Sequence, residues 1–110
     1  MKRGDVYWYD FGGSAKRRPV LVLTGTRNLP HLSTATVAAI TTTVRGTRSE
    51  VALSMEDGLP RACAVNLHQL HTIEQARVGP LVTQLSGQIM KRVEASLGFA
   101  LGFDEPVANS

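Results

Sequence analysis

The sequence predicts a small, mainly β fold: a barrel of short antiparallel strands with one α-helix packed on it near the C-terminus. Three observations lead to this fold class. Short β-branched and apolar runs alternate with turn residues along most of the chain, which is typical of consecutive strands. After Ser86 the apolar residues change to helical spacing. With 110 residues the chain can build one modest core, and its short strands need partial closure to protect their edges.

Six or seven strands are predicted, and the first two frame the most informative part of the sequence. Residues 6–11 form the first strand and residues 12–17 a polar loop with two glycines. Residues 18–24 are almost continuously apolar, which is typical of a strand covered on both faces. A loop with room for one helical turn follows. The later predicted strands cover residues 34–43, 50–53, 62–67 and 70–74, with an edge segment at 79–82.

The predicted helix begins near Ser86, a residue type that suits the N-cap position. Leu85 and Met90 stand on either side of that cap with the spacing of a hydrophobic staple. Apolar residues then recur at helical spacing up to Leu101. This stretch is therefore expected to bury one face against the barrel.

The composition excludes several classes of protein. With 43% hydrophobic and 19% charged residues, the chain is not typical of disordered proteins, and no apolar run approaches the roughly 20 residues of a membrane span. The N-terminus leads into a strand without the apolar region of a signal peptide. A single cysteine, Cys63, excludes an internal disulfide framework. We therefore expect one cytoplasmic domain over residues 1–103, with a tail over residues 104–110.

The charge is distributed unevenly along the chain. Residues 1–48 carry eight basic and two acidic side chains, a formal charge of +6, whereas residues 49–110 carry four basic and seven acidic ones, a charge of −3. A basic half favours a polyanionic partner such as nucleic acid. A solvated charged face with no such partner is the alternative interpretation.

The strongest candidate binding group lies where the first loop meets the second strand. Because Pro19 favours extended backbone in the residue before it, Arg18 is expected at the strand entrance. A guanidinium held there could grip a phosphodiester, with Lys16 and Arg17 adding charge beside it. A surface cation paired with a carboxylate is the alternative.

Hydroxyl groups end the predicted central strand. Thr41, Thr42 and Thr43 could bond a phosphate oxygen or orient a ribose hydroxyl. Strand alternation would put Thr41 and Thr43 on one face and Thr42 on the other. The alternative is that threonine is present simply because it forms strands well.

The histidines and aromatic residues are further candidates. His68 and His71 are the candidate residues for acid–base chemistry, since imidazole exchanges protons near neutral pH. Three positions apart, they should face opposite sides of a regular strand, and no carboxylate or cysteine completes a metal-ligand set at these spacings. In the first strand, Trp8 should face away from its aromatic neighbours, so one face offers stacking surface. Cys63 is expected to be a buried small hydrophobe and not a nucleophile.

Five motifs occur in a recognisable order: Arg3–Trp8, Arg18–Val22, Ser33–Thr41, Glu50–Val51 with Gly58–Pro60, and Gln69–Ile73. In these motifs the chain resembles the MazF/PemK toxins, the mRNA interferases of prokaryotic type II toxin–antitoxin modules. The resemblance implies an SH3-like or CcdB-like barrel, a homodimer, and sequence-specific cleavage of single-stranded RNA. It also implies that no metal or other cofactor is needed and that a MazE-like antitoxin covers the RNA groove.

The resemblance also implies roles for individual residues. The matched Arg-Pro-Val segment carries the family's catalytic arginine onto Arg18, and the matched Ala-Ile-Thr segment carries its catalytic threonine onto Thr41. The ribose 2′-OH would be the nucleophile, leaving a cyclic phosphate and a 5′-OH. Since a guanidinium stays protonated at neutral pH, Arg18 would stabilise charge, and the general base is not identified. The expected RNA-binding residues are Lys16, Arg17, Thr42, Gln69 and His71.

Two departures from the family and two alternative functions remain. The first loop is shorter than the family's Gly-Ser-Glu-Gln-like stretch, and His71 stands where the family usually has arginine, so the RNA sequence that is cut stays open. The alternatives are a CcdB-like gyrase poison and a non-catalytic RNA-binding barrel. CcdB-type proteins carry an aromatic residue at the C-terminal tip, whereas this chain ends Val107-Ala108-Asn109-Ser110.

Overall fold

The computed structural model describes residues 1–108, with Ala15 described by its backbone alone. Of the predicted tail, Asn109 and Ser110 lie outside the described residues. The described part forms six strands and one α-helix, joined by loops that contain short 3-10 turns. The elements are β1 (Asp5–Asp10), β2 (Arg17–Val22), β3 (Thr34–Thr41), β4 (Glu50–Leu53), β5 (Cys63–Glu74), β6 (Leu81–Gln84) and α1 (Gly87–Leu101).

The strands form one curled antiparallel sheet in the order β4-β5-β3-β2-β1-β6. The helix α1 packs against β4 and β5. This confirms the predicted fold class, mainly β with a C-terminal helix. The segment predicted as an edge strand is β6, and it does lie at an edge of the sheet.

Apolar residues form two clusters, one on each face of the sheet. Leu21 and Val93 belong to the cluster under α1, while Val20 and Val22 belong to the cluster on the opposite face. All four side chains are fully buried. The prediction that this apolar strand is covered on both faces is therefore confirmed, because successive side chains of a strand point to opposite sides.

The prediction of two separate strands at residues 62–67 and 70–74 was wrong, since both segments belong to β5, one continuous strand of 12 residues. The residues between them do not leave the sheet; instead the pairing with β3 shifts register. Ala38 pairs with Leu70, but Ile40, two positions along β3, pairs with Val65, five positions along β5. His68 and Gln69, which the prediction left between the two strands, therefore lie in an irregular stretch of one strand.

The central strand was also predicted two residues too long. β3 ends at Thr41 because the Thr43 backbone N–H donates to Thr41 Oγ1 at 3.0 Å, which turns the chain out of the sheet. At the helix, the predicted cap is confirmed: Ser86 Oγ accepts from the Ile89 N–H at 3.2 Å. Within residues 1–108, no helix has the length and apolar character needed to cross a membrane.

Candidate functional site

A cavity of about 460 Å³ opens at the end of the sheet where β2 begins and β3 ends. Arg18 lines this cavity from β2, and Thr41 lines it from β3. The last paired residues of these strands are Val20 and Ala39. Arg18 and Thr41 both lie two residues beyond that pair, so the register of the sheet brings them to the same place.

The hydroxyl group of Thr41 is oriented by the backbone that follows it. Its oxygen accepts the hydrogen bond from the Thr43 N–H, so the hydroxyl hydrogen remains available to donate. The Thr41 side chain is half-buried, while Thr42 and Thr43 are exposed on the cavity wall. Thr41 is thus a positioned hydrogen-bond donor that faces the cavity.

The cations of the cavity are not neutralised within the part of the chain that the structure describes. Its two ion pairs join Arg3 to Glu94 and Arg77 to Glu74, at 3.1 and 3.0 Å. Neither pair involves a cation of the cavity, so the alternative that Arg18 is held by a carboxylate finds no support among residues 1–108. The half-buried Arg18 is therefore available to an anion.

The two adjacent arginines of β2 have different surroundings. Arg17 is exposed, and its guanidinium lies over the ring of Trp8, with Cζ 4.8 Å from the ring centroid. Such a contact holds the guanidinium to the rim by a cation–π interaction. Arg18 has no such contact in residues 1–108. The geometry therefore distinguishes an arginine on the rim from one that faces the cavity.

The short first loop brings further polar groups to the same cavity. It is closed by hydrogen bonds from Gly12 N to Asp10 Oδ1 at 2.8 Å and from Phe11 N to the Lys16 carbonyl at 3.0 Å. Ser14 and Lys16 line the cavity as a result. Lys16 has φ +57 and ψ −161, a conformation that costs a non-glycine residue about 1–3 kcal/mol. The first loop is thus a compact turn closed by hydrogen bonds.

Two polar residues of the cavity were not identified from the sequence, Ser14 and Arg61. Arg61 follows the turn at Gly58–Pro60 and reaches the cavity from a segment outside the basic N-terminal half. The turn is held at Gly58, which has φ +93, and by the Thr83 hydroxyl, which donates to the Asp57 carbonyl at 3.0 Å. No local sequence signal connects Arg61 with Arg18; only the folded sheet does.

Cys63 also lines this cavity but is 4% exposed. Burial raises the pKa of its thiol, and the negative charge of Asp57 raises it further. The thiol therefore stays protonated at neutral pH, which makes it a poor nucleophile. The prediction that Cys63 is a buried small hydrophobe is confirmed.

A second cavity of about 330 Å³ shares Arg18 with the first. It is lined by Phe11 and by His68, Gln69, Leu70 and His71. The prediction that the two histidines face opposite ways was wrong, because it assumed a regular strand and the β3–β5 pairing is irregular here. His71 is held beside Phe11, with ring centroids 4.8 Å apart. Within residues 1–108, no group of three His, Cys, Asp or Glu side chains is placed to bind a metal.

Residues 2–101 match the sequence profile described as "PemK-like, MazF-like toxin of type II toxin-antitoxin system". The chain belongs to this family. Among curated relatives it is similar to "Probable endoribonuclease MazF5" of Mycobacterium tuberculosis, with 43% identity over 84 residues, 76% of this chain and 73% of the relative. It is similar to "Endoribonuclease EndoA" of Bacillus subtilis, with 31% identity over 92% of this chain and 94% of the relative.

Solved structures of the family have the same fold. The Mycobacterium tuberculosis toxin MazF-mt6 aligns with a TM-score of 0.81 and 32% identity, over 89% of this chain and 96% of that one. An endoribonuclease from Mycobacterial species in complex with its cognate antitoxin aligns with a TM-score of 0.85 and 25% identity, over 98% and 99% of the two chains. These PemK/MazF relatives confirm the family that the five sequence motifs indicated.

Proposed function

We propose that this PemK/MazF family member is the toxin of a type II toxin–antitoxin module and a sequence-specific endoribonuclease that cleaves single-stranded RNA without a metal. The observation that carries the proposal is the convergence of Arg18, which has no carboxylate partner within residues 1–108, and the oriented hydroxyl of Thr41 in one cavity. The endoribonuclease names of the curated relatives support the same activity.

The proposed reaction is an internal transesterification. The ribose 2′-oxygen attacks the neighbouring phosphorus, a new P–O bond forms to it, and the bond from phosphorus to the 5′-oxygen of the next nucleotide breaks. The products are a cyclic phosphate and a 5′-OH, and the proton lost by the 2′-OH is balanced by the one gained at the leaving oxygen. Arg18 stabilises the charge that builds up on the phosphate oxygens, and Thr41 donates its hydroxyl hydrogen to one of them.

The RNA strand is proposed to pass across Arg18 from one cavity to the other. Lys16, Arg17 and Thr42 line the first cavity, where cations and hydroxyl groups suit phosphates. Gln69 and His71 line the second, on the other side of Arg18. We assign these five residues to RNA binding and Arg18 and Thr41 to catalysis.

We further propose that the toxin acts in the cytoplasm as a homodimer and that a MazE-like antitoxin covers the RNA groove. A related endoribonuclease has been solved with its cognate antitoxin, which supports a partner of this kind. Residues 1–103 would constitute the toxin domain and residues 104–110 its tail. Before that tail, Phe99 near the end of α1 and Phe103 just beyond the helix are both exposed.

The test is RNA cleavage by the purified protein in the presence of EDTA. Arg18→Ala should lower kcat about 10²- to 10³-fold, because one charge-stabilising group is lost from the reacting phosphate. Arg17→Ala is the matched control: it removes the same charge from the adjacent residue, whose guanidinium lies on Trp8. It should raise KM by less than about tenfold and leave kcat almost unchanged.

Both variants must fold as the wild type does. Their free energies of unfolding, measured by urea denaturation, should lie within about 0.5 kcal/mol of the wild-type value. RNA binding without cleavage would contradict the proposal and support the non-catalytic RNA-binding barrel. Poisoning of gyrase with no effect on RNA would support the CcdB-like alternative. Equal losses of kcat in the two arginine variants would contradict the assignment of Arg18.

A further inference from the structure

We propose that Glu50 is a positioning residue of the RNA-cleaving site: its carboxylate fixes the connection between β3 and β4 and, through that connection, the hydroxyl group of Thr41. This inference rests on the proposed function, since Thr41 is one of the two residues assigned to catalysis there. Glu50 lines neither of the two cavities that share Arg18. It therefore acts through the backbone and not by contact with RNA.

The connection between β3 and β4, residues 42–49, has little packing of its own. Both strands pair with β5, one on each side of it, so the chain has to cross β5 between Thr41 and Glu50. Residues 42–48 are all exposed. A segment with so little buried surface depends on its hydrogen bonds for a fixed conformation. Those bonds matter to the site because the connection begins with Thr42 and Thr43, which line the first cavity.

The side chain of Glu50 holds the middle of this connection. One carboxylate oxygen, Oε1, accepts from the backbone N–H of Arg45 at 2.9 Å and from that of Gly46 at 2.8 Å. Within residues 1–108, the backbone of residues 44–46 makes no other hydrogen bond. Bonds from an N–H to an ionised carboxylate are about twice as strong as neutral ones. Glu50 is itself fixed, because it is half-buried on β4 and pairs with Asn66 of β5.

The start of the same connection orients the catalytic hydroxyl group. The Thr43 N–H donates to Thr41 Oγ1 at 3.0 Å, and within residues 1–108 Thr43 makes no other hydrogen bond. That bond requires Thr43 to fold back over the end of β3. Because Glu50 holds the chain two residues further on, at Arg45, it restricts the conformations open to Thr43. Loss of the carboxylate would free the Thr43 N–H and, with it, the direction in which the Thr41 hydroxyl donates.

The experiment measures kcat and KM for RNA cleavage in the presence of EDTA for three variants of Glu50. Glu50→Ala removes the carboxylate, and Glu50→Asp keeps its charge but withdraws the oxygen by one methylene group. Glu50→Gln keeps an oxygen acceptor at the same reach. Glu56→Ala is the matched control: it removes the same charge from an exposed side chain that makes no hydrogen bond within residues 1–108 and lines neither cavity of the site.

We expect Glu50→Ala and Glu50→Asp to lower kcat by about 10- to 100-fold, because a small misplacement of a catalytic group can cost up to about 10²-fold. KM should change by less than about threefold, since the cations of the first cavity lie on other segments. Glu50→Gln should keep kcat within about threefold of the wild-type value, and Glu56→Ala should match the wild type. Urea denaturation of each variant checks that it is folded under the assay conditions.

Two further measurements separate positioning of Thr41 from a purely structural role. Thr41→Val removes the hydroxyl group but keeps the shape of the side chain. In that background Glu50→Ala should lower kcat by less than about threefold, because no hydroxyl is left to misdirect. In the wild type, amide hydrogen exchange should be slower at Arg45 and Gly46 than at Val44, after correction for intrinsic rates, and this measurement needs no variant.

Unchanged kcat in both Glu50→Ala and Glu50→Asp would overturn the inference while leaving RNA cleavage intact. Equal losses of kcat from Glu50→Ala in the wild-type and Thr41→Val backgrounds would also overturn it, and would assign Glu50 to stability alone. Equal exchange at Arg45, Gly46 and Val44 would show that the carboxylate does not hold the connection. Failure of the wild type to cleave any RNA would instead contradict the proposed function, so the two failures are distinguishable.

Discussion

The turn that brings Arg61 to the cavity depends on one glycine, and replacing it should be costly. Gly58 has φ +93, in the left-handed region. A Cβ atom at this position would overlap Thr83 Oγ1 and lie 2.7 Å from Thr83 Cβ. Gly58→Ala therefore combines a strained backbone with a collision against β6, and it should destabilise the protein far more than a typical surface substitution.

The magnitude follows from three destabilising contributions and one that opposes them. An alanine in the left-handed region costs about 1–2 kcal/mol. Displacement of Thr83 breaks its hydrogen bond to the Asp57 carbonyl, which costs about 1 kcal/mol, and overpacking against the half-buried Thr83 adds about 1–3 kcal/mol. The lower entropy of the unfolded alanine variant returns about 0.4–1 kcal/mol. We expect Gly58→Ala to lower the free energy of unfolding by about 4 kcal/mol.

The assay is urea denaturation followed by circular dichroism, at one protein concentration because association of subunits affects apparent stability. Gly46→Ala is the matched control: Gly46 has φ +72, but a Cβ there would meet nothing within 4 Å. The free energy of unfolding of Gly46→Ala should fall by only about 1 kcal/mol. This is the cost of alanine in the left-handed region minus the gain from the lower entropy of the unfolded chain. Thr83→Gly should relieve the collision, so its effect and that of Gly58→Ala should not be additive.

Equal losses in Gly58→Ala and Gly46→Ala would refute this reasoning, because they would show that the contact with Thr83 has no energetic effect. Additive effects of Gly58→Ala and Thr83→Gly would lead to the same conclusion.

Three further predictions concern other parts of the fold. Because burial raises the pKa of Cys63, iodoacetamide should alkylate the native protein at least about tenfold more slowly than the urea-unfolded protein, as followed by mass spectrometry; equal rates would show that the thiol is accessible. Burial, the hydrogen bond to Asp5 and the charge of Asp5 raise the pKa of Tyr7 above its usual 10.0. The folded state therefore holds the phenol proton more tightly than the unfolded state does. This contribution to stability is present below pH 10 and is lost as the pH rises above 10. Tyr7→Phe should reduce this loss of stability at alkaline pH and lower the free energy of unfolding at neutral pH by about 1–3 kcal/mol. If the free energy of unfolding of the variant falls with alkaline pH as steeply as that of the wild type, another group is responsible for the loss. Ser86→Ala removes the N-cap bond to Ile89 and should cost about 1 kcal/mol in urea denaturation, and no loss would mean that the cap is replaced by water.

Much of the candidate site was predictable because its residues lie next to local signals. Pro19 placed Arg18 at the start of a strand, and Thr41 ends an apolar run. The residues themselves left Thr41 open between a binding role and ordinary strand propensity, and only the resemblance to the family favoured a catalytic role. Sites on strand ends are predictable to this extent, since a strand end is visible in the sequence while its neighbours in space are not.

The errors have a common physical cause. Both errors concern the stretch of β5 where its pairing with β3 shifts. His68 and His71 were assigned to opposite faces because regular alternation was assumed, and β5 was divided in two at the same stretch. The extra residues of β5 are accommodated by a shift in its pairing with β3. Such a shift depends on a strand more than 20 residues away in sequence, so local patterns cannot indicate it.

The sequence by itself determined which segments are strands and which is the helix, because alternation and helical spacing are local properties of the chain. It also determined that β2 is buried on both faces and that Arg18 stands at its entrance. Only the tertiary structure decided that Arg18, Thr41 and Arg61 surround one cavity and that Arg18 joins it to a second one. The physical reason is that register and curl of the sheet arise from pairing between distant strands, and this pairing sets which strand ends meet.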